Sequence, residues 1–195
     1  MTLDWRRTVF VLTVLMAASV LGIGSALFAV RMVADVESTA SGPWRTHATY
    51  GEASPTPWLR TAQAMTGLFA LPKEQALLFT AFTDSEGQRL DAACAYRLTG
   101  APPAGDWWSL TLYGRGQFLL PGPEKRWSVD AGSIEAGHDG GVEIVIGGPS
   151  GAPDGISTGG AEGSFSLTLR VYGPEAGAGP PAGAPPFRIE REACA

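Results

Sequence analysis

The chain has no asparagine, only two lysines (Lys73 and Lys125), two cysteines and two histidines. Each shortage narrows the chemistry available. With only two histidines, a multi-histidine metal centre would have to rely on His138. A histidine-based catalytic triad would have to rely on His138, because His47 stands close behind an N-terminal apolar run. His138-Asp139-Gly140-Gly141 reads first as a β-turn between strands. No metal-ligand set, no cofactor and no catalytic constellation is therefore assigned. The net charge is -5, and a surface that repels phosphate is a poor match for nucleic acid, which is bound mainly through Lys and Arg on its backbone. Nucleic acid is excluded as a partner. Charged residues make up only 17% of the chain and apolar ones 45%, too apolar a balance for a disordered chain. Ala, Gly, Pro and Arg are plentiful where Lys and Asn are scarce, the bias of a GC-rich bacterial genome.

Charge is missing altogether from Thr8 to Val30. As a helix this run spans about 34 Å, enough for a hydrocarbon core of about 30 Å. A helix satisfies every backbone group within the segment, as lipid demands. Arg6 and Arg7 precede the run, whereas Arg31 is followed by Asp35 and Glu37. The positive-inside bias puts the N-terminus in the cytoplasm and the rest outside. The run is longer than a signal-peptide core, and Ser38-Thr39-Ala40, the nearest small-x-small site, lies beyond the charges. It reads as an uncleaved signal anchor. The expected division is a cytoplasmic tail (1–7), a transmembrane anchor (8–30), a juxtamembrane segment (31–55) and an exported β domain (56–195).

Past the anchor, Thr56 can cap and Pro57 can open a short amphipathic helix over 57–66, with Trp58, Ala62 and Met65 on one face and Gly67 at its end. The Trp58 face is expected to pack on the domain. From Ala76 the period changes to two. Strands are predicted at 76–83, 89–98, 107–113 and 164–172, with shorter ones at 117–120, 126–129, 142–146 and 187–191. Leu90, Ala92, Cys94, Tyr96 and Leu98 should face the core, as should Trp108, Leu110, Leu112, Phe165, Leu167, Leu169 and Val171. Asp84-Ser85-Glu86-Gly87 is a turn. Residues 147–163 and 173–186 read as mobile loops, too rich in Gly, Pro and small residues to repay ordering entropy. About eight short strands argue for an antiparallel sandwich or barrel.

Cys94 and Cys194 both fall on the exported side, where an oxidising compartment favours a disulfide. Closing about 100 residues would restrict the unfolded chain by roughly 4–5 kcal/mol. The alternative is two free thiols, with Cys94 buried as a small hydrophobe. Gly155-Ile156-Ser157-Thr158-Gly159 matches the nucleophile-elbow pattern, but that motif needs a strand before it and a helix after it. Pro149, Pro153, Gly160 and Gly163 argue against both. Adjacent strand residues face opposite ways, so Trp107 and Trp108 cannot both be core. Trp107, Tyr113, Arg170 and Tyr172 share the outward phase and form a candidate ligand patch; cross-strand packing is the simpler role for them.

Leu77 to Gly87, Tyr96-Arg97-Leu98, Trp107 to Tyr113, Arg126-Trp127-Ser128, Asp139-Gly140 and Leu169 to Pro174 together resemble domain-of-unknown-function family 1214, over roughly residues 57–192. The resemblance implies a mainly β, jelly-roll-like antiparallel sandwich, often found beside a family 1254 domain. Here a membrane helix stands in the companion's place. Where relatives carry Asn-Trp-Leu before the late strand, this chain has Gly155 to Gly159, so no ligand site is carried over there. The resemblance implies no agreed activity. The expectation is a single-pass inner-membrane protein with a periplasmic, non-enzymatic binding module, its partner an envelope protein or a lipid. The alternative is a periplasmic enzyme acting on carbohydrate or lipid, with Asp139 or Glu143 near Arg126 and Arg170.

Overall fold

The computed structural model describes residues 4–36, 38–47, 51, 54–65, 71–120, 126–134, 137–138, 140–147, 155–175 and 187–194. A first helix, α1 (Trp5–Val36), takes in the uncharged run and continues past it. Its apolar residues from Phe10 to Phe28 are exposed, so almost nothing in the chain covers them. The helix is long and apolar enough to cross a membrane, a property that anchors and signal sequences share.

Directly after α1 come two short strands, β1 (Ser38–Ser41) and β2 (Trp44–His47), inside the stretch read from sequence as juxtamembrane. They form a hairpin whose turn holds Gly42 at a φ of 58°, where a missing Cβ is an advantage. The helix α2 (Pro57–Met65) follows, capped as expected by the Thr56 hydroxyl, which accepts from the Leu59 amide at 3.2 Å. It packs against α1. The face expected to be buried is not the one that is: Leu59 is buried, whereas Trp58 and Met65 are exposed. The apolar surface nearest this helix is α1 rather than a sheet, and that rotates the stripe.

The remaining strands are β3 (Ala76–Ala81), β4 (Cys94–Gly100), β5 (Gly105–Tyr113), β6 (Ser128–Asp130), β7 (Val142–Ile146), β8 (Gly155–Ile156), β9 (Ser166–Pro174) and β10 (Arg188–Cys194). They make a six-stranded sheet in the order β1-β2-β3-β9-β5-β6 and a four-stranded sheet in the order β10-β4-β7-β8. Every pairing is antiparallel except β7 with β8, which is parallel. The fold is thus mainly β, with two sheets and one long apolar helix.

One cluster of buried side chains draws on both sheets: Leu110, Leu112, Leu167 and Leu169 from the larger, Tyr96, Leu98, Ile144 and Ile146 from the smaller. Burying each such side chain contributes about 1.5–3 kcal/mol. Aromatic contacts reach from one sheet toward the other. Tyr96 meets Phe165 edge-on at 5.6 Å, and Phe187 meets Trp108 at 5.7 Å. The inward residues anticipated from alternation are all buried.

Three segments differ from expectation. Residues 89–93 keep their inward phase but are not continuous strand, because the Asp91 carboxylate accepts from the Ala93 amide and turns the chain before β4. Residues 117–120 are not a strand. A 3-10 turn at Arg115–Gln117, with Gly116 and Gln117 both at positive φ, carries Phe118 out to solvent. Within the first Gly-rich loop, β8 pairs with β7 and Ile156 enters the core. Residues 148–154 of that loop and 176–186 of the second lie outside the described residues.

Two ties close the fold. Cys94 and Cys194 are joined by a disulfide across the β4–β10 register. The buried Asp84 carboxylate accepts from the Glu86 and Gln88 amides and lies 3.3 Å from Arg191 on β10.

Candidate functional site

The central strands of the larger sheet, β5 and β9, present the only aromatic and cationic grouping among the described residues that matches the patch read from sequence. Their register opposes Trp107 to Tyr172, Ser109 to Arg170, Thr111 to Thr168 and Tyr113 to Ser166. The neighbours Trp108, Leu110, Leu112, Leu167, Leu169 and Val171 are buried on the opposite face, so these eight residues share the outer one.

The four candidate residues sit on that face as two pairs. Trp107 and Tyr172 are tilted against each other with ring centroids 5.4 Å apart, at one end of the strands. Two rungs away from Ser109, Tyr113 leans back toward Arg170. The guanidinium lies 5.9 Å from the Tyr113 ring centre and donates to its hydroxyl at 3.4 Å. Such a cation–π contact contributes about 0.5–1 kcal/mol at a partly exposed site. Among the described residues Arg170 pairs with no carboxylate.

Between the Arg170 and Tyr113 rungs lies Thr168, which is 0% exposed although it points to the outer side. Its hydroxyl has no hydrogen-bond partner among the described residues. Buried polar groups without partners are rare and costly. Nothing in the sequence flagged this residue, since threonine on the polar phase of a strand is ordinary.

Of the residues named for enzymatic chemistry, Glu143 and Arg170 lie on different sheets. Glu143 is on β7 of the smaller sheet, bonded to Arg97, whereas Arg170 is on the larger sheet. Arg97 also donates to Glu192 at 2.6 Å. Its pKa is held above the ordinary arginine value, first by the hydrogen bond to Glu192 and then by the Glu143 charge. Arg126 is exposed ahead of β6, and Asp139 lies outside the described residues. His138 is exposed in a turn where the Gly137 amide donates to the Gly141 carbonyl.

Ser157 is not a nucleophile on an elbow. Its hydroxyl accepts from the Gly159 amide at 3.0 Å, and a turn rather than a helix follows. Among the described residues no group of three His, Cys, Asp or Glu side chains can hold a metal.

The model of a family of proteins of unknown function, DUF1214, matches residues 75–176. The VPA0106 protein from Vibrio parahaemolyticus has a similar structure, with a TM-score of 0.59 and 22% identity, over 72% of this chain and 36% of that one. An uncharacterized protein from Burkholderia cenocepacia aligns with a TM-score of 0.40 and 20% identity, over 60% of this chain and 29% of that one. The chain thus spans about a third of the length of the structures it matches. No curated protein matches it. The first likeness extends to the fold.

Proposed function

The chain belongs to the DUF1214 family, and on that premise we propose that it is a short, membrane-anchored form, a non-enzymatic binding module tethered in the bacterial envelope. In this reading residues 8–30 cross the inner membrane, residues 1–7 stay in the cytoplasm, and the part from about residue 56, with the β1–β2 hairpin added to it, works in the periplasm. The two sheets are read as the halves of a jelly-roll-like sandwich.

The observation that carries the reading is the junction between helix and sheet. α1 ends at Val36 and β1 begins at Ser38, so an apolar rod exposed from Phe10 to Phe28 is fastened to the module by one intervening residue. The Arg6 and Arg7 flank supports the orientation. The disulfide supports an oxidising compartment. Trp107, Tyr113, Arg170 and Tyr172 form the surface offered to an envelope protein or a lipid. An aromatic pair supplies stacking area and the guanidinium supplies charge-assisted hydrogen bonds.

Carbonate extraction of membranes, with tags at both ends, tests the tether. Full-length protein is expected to stay in the pellet with both tags, and a periplasm-dependent reporter at the C-terminus should be active. Loss of the N-terminal tag, or full-length protein in the cytosol, would overturn the reading. Co-purification with the detergent-solubilised chain, repeated with Arg170→Ala, tests the binding surface: a partner retained equally by both places the surface elsewhere.

A further inference from the structure

We infer that the Trp107–Tyr172 end of the larger sheet rests in the headgroup layer of the same bilayer that holds α1, making the membrane surface itself the partner of this aromatic pair. The inference rests on α1 crossing the membrane and adds what the module meets once it is there.

The sheet register fixes the level at which the helix enters. Ser38 on β1 opposes His47 on β2, and β2 meets β3 with Arg45 opposite Thr80. Continuing that pairing by two residues brings His47, and with it Ser38, to the level of Leu78 and its partner Arg170. Two residues further toward that end of the sheet are Ala76, Tyr172 and Trp107. Trp107 and Tyr172 are therefore at the helix-proximal end of the sheet. The opposite end holds Tyr113 and the turn that exposes Phe118.

Height follows from helix geometry. The uncharged run ends at Val30, and six more helical residues reach Val36, a rise of about 9 Å. The polar layer outside the hydrocarbon is about 5–8 Å deep on each side. β1 thus starts at the outer edge of the headgroups. Four strand spacings separate β1 from β5, about 19 Å along the surface, so β5 stays over the bilayer with no long connector to lift it away.

The side chains suit that position. Trp and Tyr concentrate where one end of the ring can be apolar and the other wet. Trp107 is 40% exposed despite its stacking on Tyr172, and Leu71, in the turn before β3 at this same end, is 44% exposed. Glu74, Asp106 and Glu175 are also exposed here. Their charge opposes acidic lipid, so the contact is expected on zwitterionic headgroups and should weaken as anionic lipid is added.

The experiment uses the full chain in phosphatidylcholine vesicles, with an environment-sensitive fluorophore on a single introduced cysteine, the native pair being oxidised. Labels at Trp107→Cys and, at the far end, Phe118→Cys are compared. The label at 107 should be blue-shifted relative to 118 and quenched several-fold more by a spin label near the lipid carbonyls. Adding phosphatidylglycerol should reduce that difference. As a label-free check, Trp107→Phe should lose part of the emission quenched by brominated lipid. Protein retained through carbonate but equally wet at 107 and 118 would overturn this inference alone. Burial at 107 without lipid quenching would mean a protein contact and would also overturn it. Release by carbonate would remove the tether and the inference together.

Discussion

The indole nitrogen of Trp44 donates to the backbone carbonyl of Phe187 at 2.6 Å, across 143 residues of chain. Both side chains are 0% exposed. Trp44 is on β2 of the larger sheet, and Phe187 leads into β10 of the smaller one. The bond therefore spans the two sheets, and Phe187 also meets Trp108.

Trp44→Ala removes a large buried ring and strands the Phe187 carbonyl. A loss of about 3–5 kcal/mol is expected, by the usual cost of truncating a buried aromatic. Trp44→Phe keeps most of the volume and should lose only about 1–3 kcal/mol, the cost of one unsatisfied buried carbonyl. Denaturant titration of the detergent-solubilised protein separates the two; equal losses would assign the whole effect to the hydrogen bond rather than to volume.

The Cys94–Cys194 bridge is expected to stabilise the folded chain by about 2–5 kcal/mol. Replacing both cysteines by serine should lower the unfolding midpoint, and reductant should lower that of the wild type alone. An unchanged midpoint in both would show that the β4–β10 ladder holds without it.

Asp84 is the hub of the turn before β4. One carboxylate oxygen accepts from two amides, at 3.1 and 2.8 Å, and the other faces Arg191, itself stacked 5.5 Å from the Tyr96 ring. Asp84→Ala leaves Arg191 partly buried and unpaired, a loss of about 3–5 kcal/mol. Asp84→Asn retains an acceptor and should cost less. Amide exchange at Gln88 and Ile189, whose own amide donates to Ser85, would report the loosening.

Gly147 sits at a φ of 71°, and a Cβ there would come within 2.7 Å of the Cys94 carbonyl oxygen. Gly147→Ala combines backbone strain with a clash against backbone that has no rotamer to yield, costing about 1–3 kcal/mol. The contrasting change is Gly140→Ala, which has a similar φ but open space around it. Thermal melts of the two should differ, with Gly147→Ala lower.

The inward faces of β4, β5, β7 and β9 could be read directly from alternation, because each strand has one side on the core and one side polar. The same rule placed Trp107, Tyr113, Arg170 and Tyr172 on one surface. It could not show that they divide into two pairs, since the lean of Arg170 toward Tyr113 is a matter of rotamers. β1, β2 and β8 were missed for a different reason. Each is four residues or fewer; β2 brings Trp44 inward and β8 brings Ile156, while β1 has no fully buried residue, so no period could be counted. Residues 117–120 misled in the opposite direction: Phe118 and Leu119 are apolar, but positive φ at Gly116 and Gln117 breaks the extended path. The Asp84–Arg191 pair and the orphaned Thr168 hydroxyl join residues far apart in sequence or depend on cover from neighbours, and no local pattern encodes either.

The sulfur link turns residues 94–194 into a closed loop, a lariat whose stem runs back to α1. A protease that cuts once between the two sulfurs opens the ring without freeing a piece, so the nicked product would run as one mass until reductant parts it. Only a cut ahead of Cys94 could part the β10 strand and its neighbours from α1.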